Sequence, residues 1–335
     1  MKTTIRLAMA AMLVMPTSLP ALAWAATPCP LQNQVLLKNA VVSGEERHLA
    51  RKAILAGSDY ILAATGDLTL LAGESITLGP GFQVESGGLL AAGIQAGLRL
   101  SCSTLQIQFM GDEIDLDVES DVFDIDLFDR DTETVAALHQ RGRQVLCYLN
   151  AGAWEDWRPD QDDFPQVVLG DDYEGWPGEK WLDIRRIDLL APIMLARLDL
   201  CRDKGFEGVD ADNLNGYQND TGLPLTAGDQ LAYNRWLATA AHTRGLLIGL
   251  KNDTEQAVEL EPYFDFAVTE SCLAEGWCEE TAPFLDVAKP VFAIEYTDVV
   301  SGNEFQQQLC PEAAQSGISA VLKERLLDAW RLGCP

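Results

Sequence analysis

The chain has 335 residues, 47% of them hydrophobic, and a formal net charge of −27. An acidic excess of that size repels nucleic-acid phosphates and anionic lipid and attracts cations, so no nucleic acid is expected as a partner. The apolar fraction suits a packed globular chain and excludes a disordered one.

The opening MKTTIRLAMAAMLVMPTSLPALAWA has Lys2 and Arg6 as a positive start, an apolar stretch from Leu7 to Met15, and Ala23-Trp24-Ala25 as a small-x-small cleavage site. That pattern predicts a signal peptide over residues 1–25. The apolar run is too short to span a bilayer, and Pro16 and Pro20 interrupt it. A secreted or periplasmic protein without membrane insertion is therefore expected. Loss of Lys2 and Arg6 with the leader takes the charge from −27 to −29. All eight cysteines lie beyond the leader, and an even count in an oxidising compartment predicts disulfides. Spacing does not determine their pairing; the expected pairs are Cys29–Cys102, Cys147–Cys201, Cys272–Cys278 and Cys310–Cys334. With no CxxC and only His48, His139 and His242 in the chain, neither a metal centre nor a cofactor is expected.

Residues 27–103 predict a small all-β, solenoid-like module. Short strand-like pieces begin at Tyr60, Leu68, Ser75, Phe82 and Leu89, and the turn signals AGSD, TGD, AGES, GPG and SGG separate them. Its expected role is packing, attachment or glycan contact.

From residue 104 to 335 the pattern changes to short apolar runs alternating with helices. The runs are LQIQF, VFDIDL, QVLCYLN, GVDAD, LLIGLKN, FDFAVTE, PVFAIEY and ISAVLK. Helices are expected over 131–141, 186–204 and 227–244, each followed by a glycine (Gly142, Gly205, Gly245) suited to a left-handed C-terminal cap. Eight strands alternating with helices predict an α/β fold, a (β/α)₈ TIM barrel. An open doubly wound sheet is the other candidate, but it would want a glycine-rich phosphate loop after its first strand.

In such barrels the chemistry sits at the C-terminal ends of the strands. Here those ends carry Asp126, Asn150, Asp210, Asp212, Asn213, Lys251, Asn252, Glu270, Glu295 and Tyr296. Hydrolysis of a glycosidic bond needs two carboxyl groups flanking it, one protonated and one ionised. Asp212 on the fourth strand and Glu270 on the sixth are the expected catalytic pair, with the others lining the substrate site. The bland alternatives are an Asx turn for Asp212, an ion pair with Lys251 for Glu270, and supporting roles for Asp210 and Glu295. The run from Asp210 to Gly216 fails the calcium-loop pattern, because Leu214 and Asn215 stand where a ligand and a glycine are needed. No GxSxG is present, and His242 falls inside a helix. The long connection over 151–183 carries Trp154, Trp157, Trp176 and Trp181. Flat indoles suit sugar rings and amines, so Trp154 and Trp181 are expected to contact substrate.

The segments FDIDLFD, GRQVLCYLNAGAWEDWRPD, WPGEKWLDIR, KGFEGVDADNLNGYQNDTG, DQLAYNRWLATAAHTRGLLIGLKND, FDFAVTESC and KPVFAIEY together resemble glycoside hydrolase family 114, the endo-α-1,4-polygalactosaminidases. The resemblance covers about residues 105–300. It implies a TIM barrel and a retaining mechanism, with Asp212 as nucleophile and Glu270 as acid/base. Asn150, Lys251, Asn252, Asp210 and Tyr296 fall on positions implied to line the subsites. Two departures from the family pattern are LQIQ at the first strand and Asp-Ala-Asp-Asn where Glu-Pro-Asp-Asn is common. The expected partner is a cationic, galactosamine-rich polysaccharide. A non-catalytic glycan-binding barrel and a hydrolase of another α-galactoside are the alternatives. A deacetylase would need metal ligands that three histidines do not supply.

Overall fold

The computed structural model describes residues 31–334. The expected signal peptide and Cys29 lie outside those residues.

Residues 34–94 form nine short strands. Each pairs in parallel with the strand three places later, giving three three-stranded parallel sheets. The inward residues, among them Val42, Ile54, Leu62, Leu68 and Leu70, form one apolar core. Successive coils approach closely at glycine. A Cβ on Gly73 would sit 2.0 Å from the Arg51 carbonyl oxygen, so any larger residue would push the coils apart. The first four strands, from Gln34 to Ala56, are not foreshadowed in the sequence; Glu45-Glu46-Arg47-His48 carries no apolar alternation.

A short 3₁₀ turn, Ala96–Leu100, follows, and its Leu100 joins the core of the next unit. Gln95 Nε2 donates to the Val287 carbonyl at 3.0 Å and Ser101 Oγ to that of Ala288 at 3.1 Å. Both carbonyls precede the strand Val291–Tyr296. The N-terminal strands are thus moored at the end of the sheet opposite the strand C-termini.

The second unit is a mixed α/β fold around a curled nine-stranded sheet. Eight parallel strands follow in chain order: Leu105–Gln108, Val122–Asp126, Gln144–Asn150, Gly208–Asp212, Leu247–Lys251, Phe266–Glu270, Val291–Tyr296 and Ser319–Lys323. The sheet curls until the first and eighth lie against each other, and Leu332–Gly333 pairs antiparallel with the eighth. Alternation of side chains sorts the strands into two faces. Leu105, Val122, Leu146, Leu247, Phe266, Phe292 and Val321 fill the inside of the curl. Phe123, Val145, Val209, Ile248, Ala267 and Ala293 face the helices.

The long helices are Thr132–Gln140, Ile187–Lys204 and Ala227–Thr243. Asp131 caps the first by accepting from Thr134 N at 2.8 Å, and Thr226 and Asp229 form a capping box on the third. Gly142, Gly205 and Gly245 all have positive φ, as the helix-stop reading required. No helix separates the first two parallel strands, and those around the sixth strand are four or five residues long. Among the described residues no helix is long and apolar enough to cross a membrane.

The disulfides Cys147–Cys201, Cys272–Cys278 and Cys310–Cys334 are present as expected. The first ties the third parallel strand to the helix Ile187–Lys204 across a separation of 54 residues. Loop-closure entropy for a ring of that size stabilises the fold by about 4 kcal/mol. Replacing both cysteines with alanine is expected to lower Tm by roughly 8–15 °C, measured by calorimetry. A shift below two or three degrees would show that the bond closes no loop left open in the unfolded chain.

Candidate active site

The inward residues near the strand C-termini are polar where those below are apolar. The transition falls one pleat above the apolar layer, at Asp124, Tyr148, Asp210 and Gly249, and continues through Asp212, Lys251, Glu270 and Tyr296. Main-chain pairing sets their heights: Tyr148 lies opposite Asp210, and Asn150 opposite Asp212.

Lys251 is the hub. Its Nζ lies 3.3 Å from Asp212 Oδ1, 3.6 Å from Asp210 Oδ2 and 3.6 Å from Glu270 Oε2. Burial alone would lower this ammonium, but the three carboxylates outweigh it and hold Lys251 well above the ordinary lysine value. Asp212 accepts from the Tyr148 hydroxyl at 2.9 Å. Glu270 accepts from Asn252 Nδ2 at 2.8 Å and from the Tyr296 hydroxyl. Burial would raise the Glu270 carboxyl; Lys251 and the bonds from Tyr296 and Asn252 overcome it and hold Glu270 below the usual carboxylate range. Both tyrosines are pushed well above the ordinary phenol value by burial and then by the neighbouring carboxylate, so they act as donors.

Backbone geometry sharpens the site. Asn213, Asn252 and Ser271 each follow the last residue of strands four, five and six, and all three have left-handed φ, near 60°. Asparagine tolerates that conformation and serine less so; non-glycine residues in it cluster where a fold holds functional side chains. The turn lets Asn252 face back toward Glu270, donating to its carboxylate and accepting from its N–H at 2.9 Å.

The expected residues fall into three groups. Asp212, Glu270, Asp210, Lys251, Asn252 and Tyr296 are brought together. Asn150 and Asn213 are buried beside them: Asn213 Nδ2 donates to Asn150 Oδ1 at 3.0 Å, and Asn150 Nδ2 to Glu179 Oε2 at 3.0 Å. Asp126, Glu295 and Trp181 stand apart. Asp126 is buried against Arg158, at 2.9 and 2.6 Å, rather than open to the cleft. Glu295 precedes Tyr296 and so points to the opposite face; it is fully buried and accepts from the N–H groups of Leu273 and Ala274 at 3.0 and 3.2 Å. Trp181 is buried with its ring against Tyr173, centroids 4.4 Å apart.

The connection over 151–183 is an ordered three-stranded antiparallel sheet, Ala153–Glu155, Glu179–Leu182 and Leu169–Asp172 in that order. Trp154 is half-buried with its N–H donated to the Gln161 carbonyl at 3.0 Å. Trp157 and Trp176 are the open indoles, 50% and 47% exposed. Tyr173 packs on the Trp181 ring, and burial, then the charges of Asp212 and Glu270, push its phenol well above the ordinary value. Burial, then Glu155 and Asp212, push Glu179 up to about 8.

Sequence reading missed Tyr148, Tyr173, Glu179 and Asp124. Period-two alternation could have found two of them, since Tyr148 precedes Asn150 by two residues and Asp124 precedes Asp126 by two. Tyr173 and Glu179 had no such signal, because the small sheet that places them is not periodic in sequence.

The chain is a glycoside hydrolase, and the fourth and sixth strands of its curled parallel sheet end in two carboxylates that share one buried ammonium. It belongs to glycoside-hydrolase family GH114, whose model matches residues 91–335. The chain is similar to Aspergillus fumigatus Ega3, solved as a complex with galactosamine: 39% identity, 69% of this chain and 95% of that one covered, TM-score 0.64. The glycoside hydrolase domain of PelA from Pseudomonas aeruginosa shares the fold at 15% identity, with 69% of this chain and 98% of that one covered and a TM-score of 0.55. An uncharacterised Deinococcus radiodurans protein is 27% identical over 240 residues, 63% of this chain and 75% of the relative.

Proposed function

We propose that the protein is a secreted endo-hydrolase of α-1,4-linked, galactosamine-containing polysaccharide, working by a retaining two-carboxylate mechanism on a (β/α)₈ barrel. Asp212 is the nucleophile and Glu270 the acid/base. The observation that carries this reading is the Lys251 ammonium in contact with both carboxylates, which keeps them close together. Its two distances hold the contacting oxygens within about 6.9 Å of each other, which admits the roughly 5–5.5 Å of a retaining enzyme and only the lowest part of the roughly 6.5–9.5 Å range of an inverting one. The galactosamine held by Ega3 supports an amino sugar as the unit recognised. Lys251, Tyr296 and Asn252 hold the Glu270 carboxyl below its ordinary value in the free site, so Glu270 takes up a proton from solvent and then gives it to the leaving oxygen. Asn150 and Asn213 support the floor beneath the pair, and the half-buried Tyr173 offers its ring beside it. The N-terminal strands form a three-coil β-solenoid that caps the far end of the barrel.

The test is digestion of purified α-1,4-linked galactosamine polymer, with release of short oligomers as the expected result. Binding without cleavage would favour a glycan-binding barrel instead. Because free amines make the polymer cationic and the mature chain is strongly acidic, kcat/KM is expected to fall about tenfold between 0.01 and 0.15 M salt as the Debye length shrinks from roughly 30 to 8 Å. Rates that ignore salt would remove electrostatic capture from the account.

A further inference from the structure

We propose that Asp124 is a positioning residue of this site: a neutral carboxylic acid that donates its proton to Asp210, keeps Asp210 ionised and so anchors Lys251 beneath the catalytic pair. The inference rests on the reading of Asp212 and Glu270 as that pair.

Asp124, on the second parallel strand, and Asp210, on the fourth, are 1% and 0% exposed. Among the described residues no N–H or O–H group donates to any of their four oxygens. Both side chains enter the interior of the curl, Asp124 from the second strand and Asp210 from the fourth. Two ionised carboxylates there would only repel, whereas a single shared proton turns the repulsion into a bond. The cation decides which group keeps the proton. Lys251 Nζ is 3.6 Å from Asp210 Oδ2, and Asp124 makes no ion pair of its own among the described residues. Asp210 therefore carries the charge and Asp124 the proton. Burial and the charge of Asp210 both push the Asp124 carboxyl well above its ordinary value, in agreement.

The charged and titratable groups facing this pair leave no other donor. Asp212 and Glu270 accept. Tyr148, on the strand between them, gives its hydroxyl to Asp212. Lys251 is the one ammonium shared among Asp210, Asp212 and Glu270. Without the proton of Asp124, Asp210 would take one up itself as the pH falls, and Lys251 would lose the anchor that sets its distance from Asp212 and Glu270.

Asp124→Leu is expected to lower kcat/KM roughly ten- to a hundredfold, the effect of losing a hydrogen bond to a charged group, and to move the acidic limb of the pH profile upward. Asp124→Asn, whose amide also donates to Asp210, is expected to restore both. A readout independent of turnover is the infrared difference spectrum of wild type against Asp124→Asn at neutral pH, in which the carbonyl stretch of a protonated carboxyl is expected from wild type only. Absence of that band, or an Asp124→Asn variant as impaired as Asp124→Leu, would overturn the proposal. Wild type that leaves the polymer uncut would remove the proposed function, while the infrared band would still decide where the proton lies.

Discussion

Asp212→Asn and Glu270→Gln are each expected to lower kcat/KM on galactosamine polymer by about 10³-fold or more while leaving the fold intact. The asparagine keeps the shape of Asp212 and can still meet Tyr148, but it lacks the charge needed for attack at the anomeric carbon. The glutamine can still meet Tyr296 and Asn252 but has no proton to give the departing oxygen. Proton transfer by a positioned group contributes about 10²–10⁴-fold, and members of one catalytic unit are not additive. The double variant is therefore expected to be no slower than the slower single one. Product release by single variants at near wild-type rates would displace the chemistry from this pair. Circular dichroism and Tm would separate a chemical loss from an unfolded one.

Replacing Lys251 with methionine should have the next largest effect, and its signature lies in the pH profile. In the free protein Lys251 is what chiefly offsets the burial of Glu270. Without it, burial dominates and the Glu270 carboxyl rises. A group that must be protonated to act then remains so to higher pH, so the alkaline limb of kcat/KM moves upward. The same change leaves Asp210 fully buried with no counterion. Breaking one side of a buried ion pair costs about 3–5 kcal/mol, so Tm is expected to fall as well. An alkaline limb that stays in place would show that Glu270 is not the group whose proton limits the rate, or that Lys251 does not control it.

Much of the site could be read from the chain because each strand end announces itself. GVDAD, LLIGLKN and FDFAVTE stop their apolar runs on ionisable residues, and the fold gathers those ends onto one rim. The other expected residues are placed by alternation and by contacts that the strand ends do not announce. Glu295 and Tyr296 are adjacent, and a strand sends neighbours to opposite faces; reading both as cleft residues ignored that alternation, and Glu295 caps a short helix instead. Asp126 sits at a strand end like Asp212, but Arg158, arriving from the connection over 151–183, covers it. Trp154 gives its N–H to a carbonyl, and the buried Trp181 ring packs on Tyr173.

The sequence by itself determined the order of the eight parallel strands and the three long helices, the helix stops at Gly142, Gly205 and Gly245, that the cysteines would form disulfides, and which carboxylates stand at strand ends. These depend on local periodicity, on backbone conformation at single residues, and on compartment chemistry. Only the tertiary structure decided that one ammonium serves three carboxylates, that Tyr148 and Tyr296 donate to the pair, and that Asp124 and Asp210 are buried in one interior. Each of those contacts joins strands tens of residues apart, and the ionisation of each group depends on burial and on neighbours that exist only once the sheet has curled.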